Sequence, residues 1–232
     1  MLITIDVGNT KTDVGWYAGD KLAGRRSFNT NKHATSDEIE LALSAVANDG
    51  CFSVADVQAV CVSCVVPEIY RTLPKAVKKI ADAQNTKIEY CFINANSAEG
   101  LNKQIYDVAF PAKDEVGADY IAAVIGAKAK IDGACIVADM GTATNLAIIN
   151  EDGQFYSGII YPGVETGIRA LLGSASALSD YRIKEPDVVC GKNTKECLNS
   201  GFIFGEAARL DGIVQRIWDE QGYKCPIITT GG

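Results

Sequence analysis

The feature that most constrains this chain is a strand–turn–strand unit that the sequence contains twice. The apolar run at residues 2–5 stops at Asp6-Val7-Gly8-Asn9-Thr10, and the run at 134–138 stops at Asp139-Met140-Gly141-Thr142-Ala143-Thr144. A single Asp-x-Gly turn is also an ordinary hairpin corner. Two copies after matched strands, each near the start of half the chain, favour a shared ligand-binding function.

The residue types in these turns suit phosphate. Glycine lets the backbone come close to a ligand, and hydroxyl and amide side chains donate hydrogen bonds to phosphate oxygens. The aspartate can hold a cation that accompanies a polyphosphate. Two such turns facing each other predict a clamp for ATP.

Composition excludes several classes of protein. The chain has 232 residues, of which 47% are apolar and 22% charged, as expected for an ordinary globular protein of one large or two modest domains. A formal charge of −7 argues against a nucleic-acid partner. Because no apolar stretch is long enough to span a membrane and the first residues form a strand rather than a leader, we expect a cytoplasmic protein without membrane contact.

The cysteines and the histidine give weaker signals. Eight cysteines are present, and Cys61-Val62-Ser63-Cys64 has the spacing of a redox or zinc pair, but the other six are scattered singly. In a strand over residues 60–66 the two would point to opposite faces, so we interpret them as small apolar residues. His33, the only histidine, lies in a polar loop and gives no basis for histidine chemistry.

Hydrophobic periodicity predicts the same order of elements in both halves, a β-meander followed by alternating helices and strands. One predicted helix is capped by Ser36, another opens at Pro67, and a long one runs over residues 194–220. The polar stretch at 94–113 is the natural joint, which gives domains at 1–112 and 113–232. The chain is therefore predicted to be an α/β protein of two similar domains with a cleft between them.

At this point the motifs, taken together and in order, resemble type III pantothenate kinases, a family within the actin, hexokinase and Hsp70 superfamily of ATPases. Each motif is short, and their order along nearly the whole chain makes the resemblance specific. It implies two actin-like (ribonuclease H-like) domains with a nucleotide cleft. The motifs are the turn at 6–10, Ser63-Cys64-Val65-Val66-Pro67, Glu115-Val116-Gly117-Ala118-Asp119, the turn at 139–144, and the segments 157–163, 191–194, 201–205 and 230–232.

The resemblance implies ATP-dependent phosphorylation of pantothenate to 4'-phosphopantothenate, the first step of coenzyme A biosynthesis. Asp119 matches the catalytic base that accepts the alcohol proton. From the residues alone, the favoured interpretation is that Asp119 complements a helix dipole, and the resemblance is what favours the base. By similarity, the ATP-binding residues are Asp6, Val7, Gly8, Asn9, Thr10, Lys11, Thr12, Asp13, Thr142, Gly231 and Gly232.

Ions, substrate and assembly follow from the same resemblance. Asp6 is expected near Mg²⁺, and Asp139 matches the ligand of a monovalent cation, K⁺ or NH₄⁺. Members of the family are homodimers whose substrate pocket includes the neighbouring subunit. The long apolar helix fits such an interface, and burial within its own domain explains the pattern equally well. By similarity, the pantothenate-binding residues are Tyr106, Gly117, Ala118, Asp119, Tyr120 and Thr194.

The sequence departs from the family pattern at several positions, and the departure at Tyr120 keeps another substrate open. Tyr120 stands where the family usually has Arg, which removes a charged partner for the substrate; Asn145 stands where Thr is more frequent; and relatives continue with a short tail after the position of Gly232, so we interpret the sequence as truncated or partial. One alternative is a kinase of the same fold for another small alcohol. The other is a non-enzymatic accessory factor for transcription. Retention of Asp119 and of both turns favours an enzyme.

Overall fold

A computed structural model describes residues 1–50, 52–93, 107–174 and 181–231. The chain divides into two compact units, residues 1–125 (unit 1) and 126–232 (unit 2), and the division falls inside a helix at Ala118–Lys128. The predicted boundary between residues 112 and 113 therefore stays a prediction. The prediction of a mixed α/β protein with two sheets is confirmed.

Unit 1 is built on a mixed five-stranded sheet in the order β3-β2-β1-β4-β5. Strand β1 is central, and pairs antiparallel with β2 and parallel with β4. The strands of this sheet are β1 (Leu2–Val7), β2 (Lys11–Ala18), β3 (Lys21–Asn29), β4 (Ala59–Cys64) and β5 (Glu89–Phe92). The other elements up to the end of α3 are α1 (Ser36–Asp49), a 3₁₀ turn (Val54–Asp56), α2 (Pro67–Ala83), β6 (Asp107–Val108), a second 3₁₀ turn (Lys113–Glu115) and α3 itself (Ala118–Lys128).

The core of unit 1 lies between this sheet and helices α1 and α2. Ile3, Ile5 and Val7 alternate along β1 and are all buried, as the period of two in a strand requires. They cluster with buried residues of α2, among them Leu73 and Val77. This packing holds the carboxyl end of β1, where the first Asp-x-Gly turn begins.

Helix α1 begins one residue earlier than predicted. Thr35, not Ser36, is the N-cap: its Oγ1 accepts a hydrogen bond from Glu38 N at 3.3 Å, and Glu38 Oε2 accepts one from Thr35 N at 2.7 Å. This capping box requires Glu three residues after the cap, a spacing that Thr35 satisfies and Ser36 does not.

In the second sheet, of order β10-β7-β8-β9-β6, strands β7 to β10 repeat the order of strands β1 to β4. Strand β7 pairs antiparallel with β8 and parallel with β10, and β8 pairs antiparallel with β9. Strands β7, β8, β9 and β10 thus correspond to β1, β2, β3 and β4. Their bounds, with those of the two helices, are β7 (Cys135–Met140), β8 (Ala143–Ile149), β9 (Gln154–Pro162), α4 (Val164–Ser174), α5 (Thr194–Gln221) and β10 (Ile227–Gly231).

Helix α5 packs on the sheet of unit 2 and has clear signals at both ends. Val214 and Ile217 join a buried cluster with β7 and β8. The side chain of Asn193 accepts a hydrogen bond from Glu196 N at 3.0 Å and caps the start, and Gly222, at φ 80°, ends the helix. Among the described residues, no helix has the combined length and apolar character needed to cross a bilayer.

Candidate active site

The first turn is a short, internally bonded loop. Val7 and Thr12 are paired across β1 and β2, which leaves residues 8–11 as the connection. Gly8 N donates to Lys11 O at 3.0 Å and closes it. The chain just after β3 is hydrogen-bonded to this turn, since Thr30 N donates to Thr10 O at 2.9 Å.

A line of polar residues crosses the sheet of unit 1 next to this turn. The strand register places Ser27, Asp13, Asp6 and Ser63 side by side on β3, β2, β1 and β4. We call these four residues the first polar row. Ser27 Oγ donates to Asp13 Oδ1, and Arg25 Nε lies 3.7 Å from the same oxygen. The first polar row therefore contains two carboxylates, of which Asp13 already has a cationic neighbour.

The surroundings of Asp6 disfavour its negative charge. Loss of water around the carboxyl raises its pKa above the usual value, and the charges of Asp119 and Asp13 raise it further, while the hydroxyl of Ser63 opposes the rise. Because Asp6 is exposed to solvent, water screens its charge and limits how far its pKa rises. A cation at this position would relieve the repulsion.

Asp119 belongs to the same group of charges. It is the second residue of α3, and Tyr120 N donates to its Oδ1 at 2.9 Å. A Cβ at position 117 would collide with this carboxylate, so Gly117 leaves the space that Asp119 occupies. The contact with Tyr120 N is what a helix-dipole role requires, and the closeness to Asp6 is what a catalytic role requires.

The second turn is one residue shorter than the first. Met140 and Thr144 are paired, which leaves residues 141–143, and Gly141 N donates to Ala143 O at 3.0 Å. The carbonyl oxygen of Thr142 accepts from Gly163 N at 3.1 Å and from Thr166 Oγ1 at 2.6 Å. These two bonds hold the start of α4 against the turn, and a helix start carries partial positive charge.

A second polar row crosses the sheet of unit 2 at the matching position. Asn145, Asp139 and Thr230 are neighbours on β8, β7 and β10, and we call these three residues the second polar row. Beside it, Gly231 has φ 96°, and a Cβ there would meet Asp139 Oδ1 at 2.7 Å and collide with the Met140 carbonyl. Glycine is therefore required where the carboxylate of Asp139 lies against β10.

The structure thus groups some of the predicted site residues within each unit. It brings Asp6, Asp13 and Asp119 together in unit 1, and Asp139 and Gly231 together in unit 2. Thr194 is exposed at the first turn of α5. Tyr106 and Gly232 lie outside the described residues. The individual roles of all these residues stay predictions.

One neighbour of the first turn was missed by sequence reasoning. Lys32 Nζ donates to Asn9 Oδ1 at 3.0 Å, which puts a second cationic side chain beside a turn that already contains Lys11. The signal was available in the hairpin: Lys11 pairs with Asn29, so residues just after 29 must lie near those just before 11.

Within the described residues, no group of three or more His, Cys, Asp or Glu side chains has the geometry of a metal site. Mg²⁺ commonly binds one or two carboxylates and takes its other ligands from phosphate and water, and the first polar row offers two carboxylates, Asp6 and Asp13.

Comparison with known proteins identifies the family. A family model described as type III pantothenate kinase matches residues 2–216. The type III pantothenate kinase of Roseiflexus sp. (strain RS-1) is 34% identical over 235 residues, covering 100% of this chain and 87% of the relative. The chain belongs to the type III pantothenate kinase family. By name its members are kinases, and hence phosphotransferases.

Solved structures support the fold. An activator of 2-hydroxyisocaproyl-CoA dehydratase from Clostridium difficile with bound ADPNP superposes with a TM-score of 0.52 at 9% identity, covering 100% of this chain and 80% of that one. A conserved putative Baf family transcriptional activator from Campylobacter jejuni also gives a TM-score of 0.52, at 16% identity, covering 90% and 78%. At these identities the likeness concerns the fold alone.

Proposed function

We propose that this chain catalyses the ATP-dependent phosphorylation of pantothenate to 4'-phosphopantothenate, the first step of coenzyme A biosynthesis. Membership of the type III pantothenate kinase family supports the reaction. The observation that carries it is the position of Asp119, which is close enough to Asp6 at the end of β1 to raise the pKa of that carboxyl. A base for the alcohol and a carboxylate for the phosphate-bound cation are thereby neighbours.

In the proposed reaction Asp119 accepts the proton of the primary alcohol of pantothenate. The alcohol oxygen forms a bond to the γ-phosphorus as the bond from phosphorus to the bridging oxygen breaks, and ADP leaves. Asp119 is half-buried, and one of its oxygens is held by Tyr120 N. This contact fixes the orientation of the carboxylate before substrate arrives.

The first polar row is proposed to hold magnesium. Bound Mg²⁺ would neutralise phosphate charge during transfer. Asp6 and Asp13 face each other across β1 and β2 and are the carboxylates that fit it. Lys11 and Lys32 add positive charge at the mouth of the turn, where the triphosphate is proposed to lie.

The second polar row is proposed to hold the monovalent cation. It contains one carboxylate, one amide and one hydroxyl, Asp139, Asn145 and Thr230, a set with less negative charge than the first row. No basic side chain occurs in the turn at 141–143. The start of α4, which is hydrogen-bonded to the Thr142 carbonyl, supplies partial positive charge beside this turn instead.

For the substrate we propose contacts from Gly117, Ala118, Tyr120 and Thr194. Tyr120 is uncharged and can give one hydrogen bond where the family usually has Arg, so pantothenate should bind less tightly than it does to Arg-containing relatives. The same residue favours the second candidate function, phosphorylation of another small alcohol.

We also propose that the protein is a cytoplasmic homodimer. Helix α4 contains no buried residue among those described, and unit 2 exposes several large apolar side chains that a second copy would cover. The three that we assign to this surface are Ile160, exposed to 68%, Leu171 to 46% and Phe204 to 39%.

The test is a direct assay with ATP, magnesium and potassium. Wild type should convert pantothenate to phosphopantothenate, and Asp119→Asn should reduce kcat by about 10² to 10⁴, the usual contribution of a general base. Asp132→Asn, which removes an exposed carboxylate beyond the far end of α3, is the matched control and should keep its activity.

Each other outcome has a distinct meaning. Turnover of ATP only with a different alcohol would replace pantothenate as substrate and keep the mechanism. Absence of turnover with every alcohol, in a folded protein that is dimeric, would favour the accessory-factor function. Full activity of Asp119→Asn would remove Asp119 from the role of base.

A further inference from the structure

Two cysteines from different parts of the sequence meet on adjacent strands of unit 1. Cys61 on β4 and Cys91 on β5 are direct partners in the parallel register, and their sulfur atoms are 3.6 Å apart. Partners in register point to the same face of a sheet. Neighbouring strands lie about 4.8 Å apart, which falls within the Cα separation of about 4.4 to 6.8 Å found for disulfides.

The two thiols differ in access and acidity. Cys91 is exposed, whereas Cys61 is partly buried. Burial, and then the neighbouring Cys91 thiol, raise the pKa of Cys61 to about 12. A thiolate at Cys61 is therefore rare near neutral pH, and an oxidant from solvent meets Cys91 first.

We propose that Cys61 and Cys91 form a dithiol site that hydrogen peroxide converts into a disulfide joining β4 to β5. In the first step the sulfur of Cys91 attacks one peroxide oxygen, the O–O bond breaks, and Cys91 sulfenic acid and water are formed. In the second step the sulfur of Cys61 displaces the hydroxyl group of that sulfenic acid. The S–S bond forms, and the thiol proton of Cys61 leaves with the hydroxyl as a second water.

Strand register brings no other two described cysteines together. Cys64 follows Cys61 by three residues, but its thiol donates to the Val66 carbonyl at 3.3 Å. Cys135 and Cys225 are both buried, so oxidants reach neither readily. The Cys-x-x-Cys spacing did not indicate this pair, because the second thiol comes from β5.

The experiment treats the full-length protein with hydrogen peroxide, blocks free thiols under denaturing conditions, and maps disulfides by mass spectrometry. We expect a peptide pair linked through Cys61 and Cys91, lighter by two hydrogen atoms than the separate peptides, that dithiothreitol separates. Cys197→Ser, which removes an exposed cysteine of unit 2, is the matched control and should still form the link.

Two variants separate the steps. Cys61→Ser should accumulate Cys91 sulfenic acid that dimedone traps, and Cys91→Ser should leave Cys61 reduced at the same peroxide dose. The proposal is overturned if dimedone labels Cys91 in wild type as strongly as in Cys61→Ser, or if Cys91 remains a thiol. A predominant disulfide between other cysteines would also overturn it. None of these readouts depends on kinase activity.

Discussion

The two polar rows have the same position in the fold and different chemistry. In each unit an aspartate is the penultimate residue of the first strand of the repeat, β1 or β7. A hydroxyl lies on the parallel neighbour of that strand, and a third polar residue lies on its antiparallel neighbour. The hydroxyls are Ser63 and Thr230. The third residue is Asp13 in unit 1 and Asn145 in unit 2, so one row contains two carboxylates and the other contains one.

In the proposed function, this single difference lets a duplicated scaffold bind two different ions. Topology fixes where the side chains lie, and the charge of one residue sets which cation the row suits. Burial raises the pKa of Asp6 most, and the charges of Asp119 and then of Asp13 add to the rise, so a divalent ion beside these carboxylates would offset their repulsion best. A carboxylate beside an amide carries half the charge and suits a monovalent ion.

Making the second polar row resemble the first should have the largest effect on activity. In Asn145→Asp a second carboxylate faces Asp139, and we expect potassium-dependent activity to fall by about 100-fold, equivalent to about 2.7 kcal/mol. The measurement is kcat against potassium concentration at fixed magnesium. Asn145→Thr, which keeps the position neutral, is the control and should retain potassium dependence. Equal behaviour of the two variants would show that charge in the second row is unimportant.

The reverse change, Asp13→Asn, makes the first row resemble the second. We expect the magnesium concentration needed for half-maximal activity to rise by about tenfold, because a carboxylate near the ion is lost. The control is Asp20→Asn, which removes a charge from the same hairpin at its exposed far tip. An unchanged magnesium requirement in Asp13→Asn would assign the ion to Asp6 alone.

The first turn has cationic side chains beside it, whereas residues 141–143 of the second turn include none. Removing one of these cations should have a smaller effect on activity. Lys32→Gln should raise the KM for ATP about fivefold, since exposed ion pairs are worth up to about 1 kcal/mol. Lys32→Arg should restore most of the affinity, and Lys21→Gln, at the far tip of the hairpin, should change nothing. If binding of AMP weakens as much as binding of ATP, Lys32 does not act on the outer phosphates.

The sequence predicted the repeated meander, both turns and the long helix, because the signals for them are local. The spacing of apolar residues predicts strands and helices, and Gly or Asp marks the turns. It did not predict the polar rows, since the neighbours Asp13 and Ser63 come from strands whose register is set by packing in the whole unit. Lys32 and the Cys61–Cys91 pair were missed for the same reason. Ser36 was wrong as the cap, although the Thr35-x-x-Glu38 spacing was readable.

The smallest effect we expect is on the pH dependence of the free energy of unfolding, measured without ligands. The folded-state pKa of Asp6 is raised, so the protonated carboxyl stabilises the fold at acidic pH, and that contribution is lost as pH rises through the folded-state value. Asparagine is neutral throughout. Asp6→Asn should therefore gain stability relative to wild type as pH rises from about 4 toward neutral, and level off once Asp6 is ionised. Denaturant unfolding of both proteins across this range, without magnesium or ATP, measures the difference, with Asp20→Asn as the control for removing an exposed charge. A variant that instead loses stability relative to wild type over this range would mean that the fold stabilises the ionised carboxylate of Asp6, and repulsion within the first row would then not select a divalent ion.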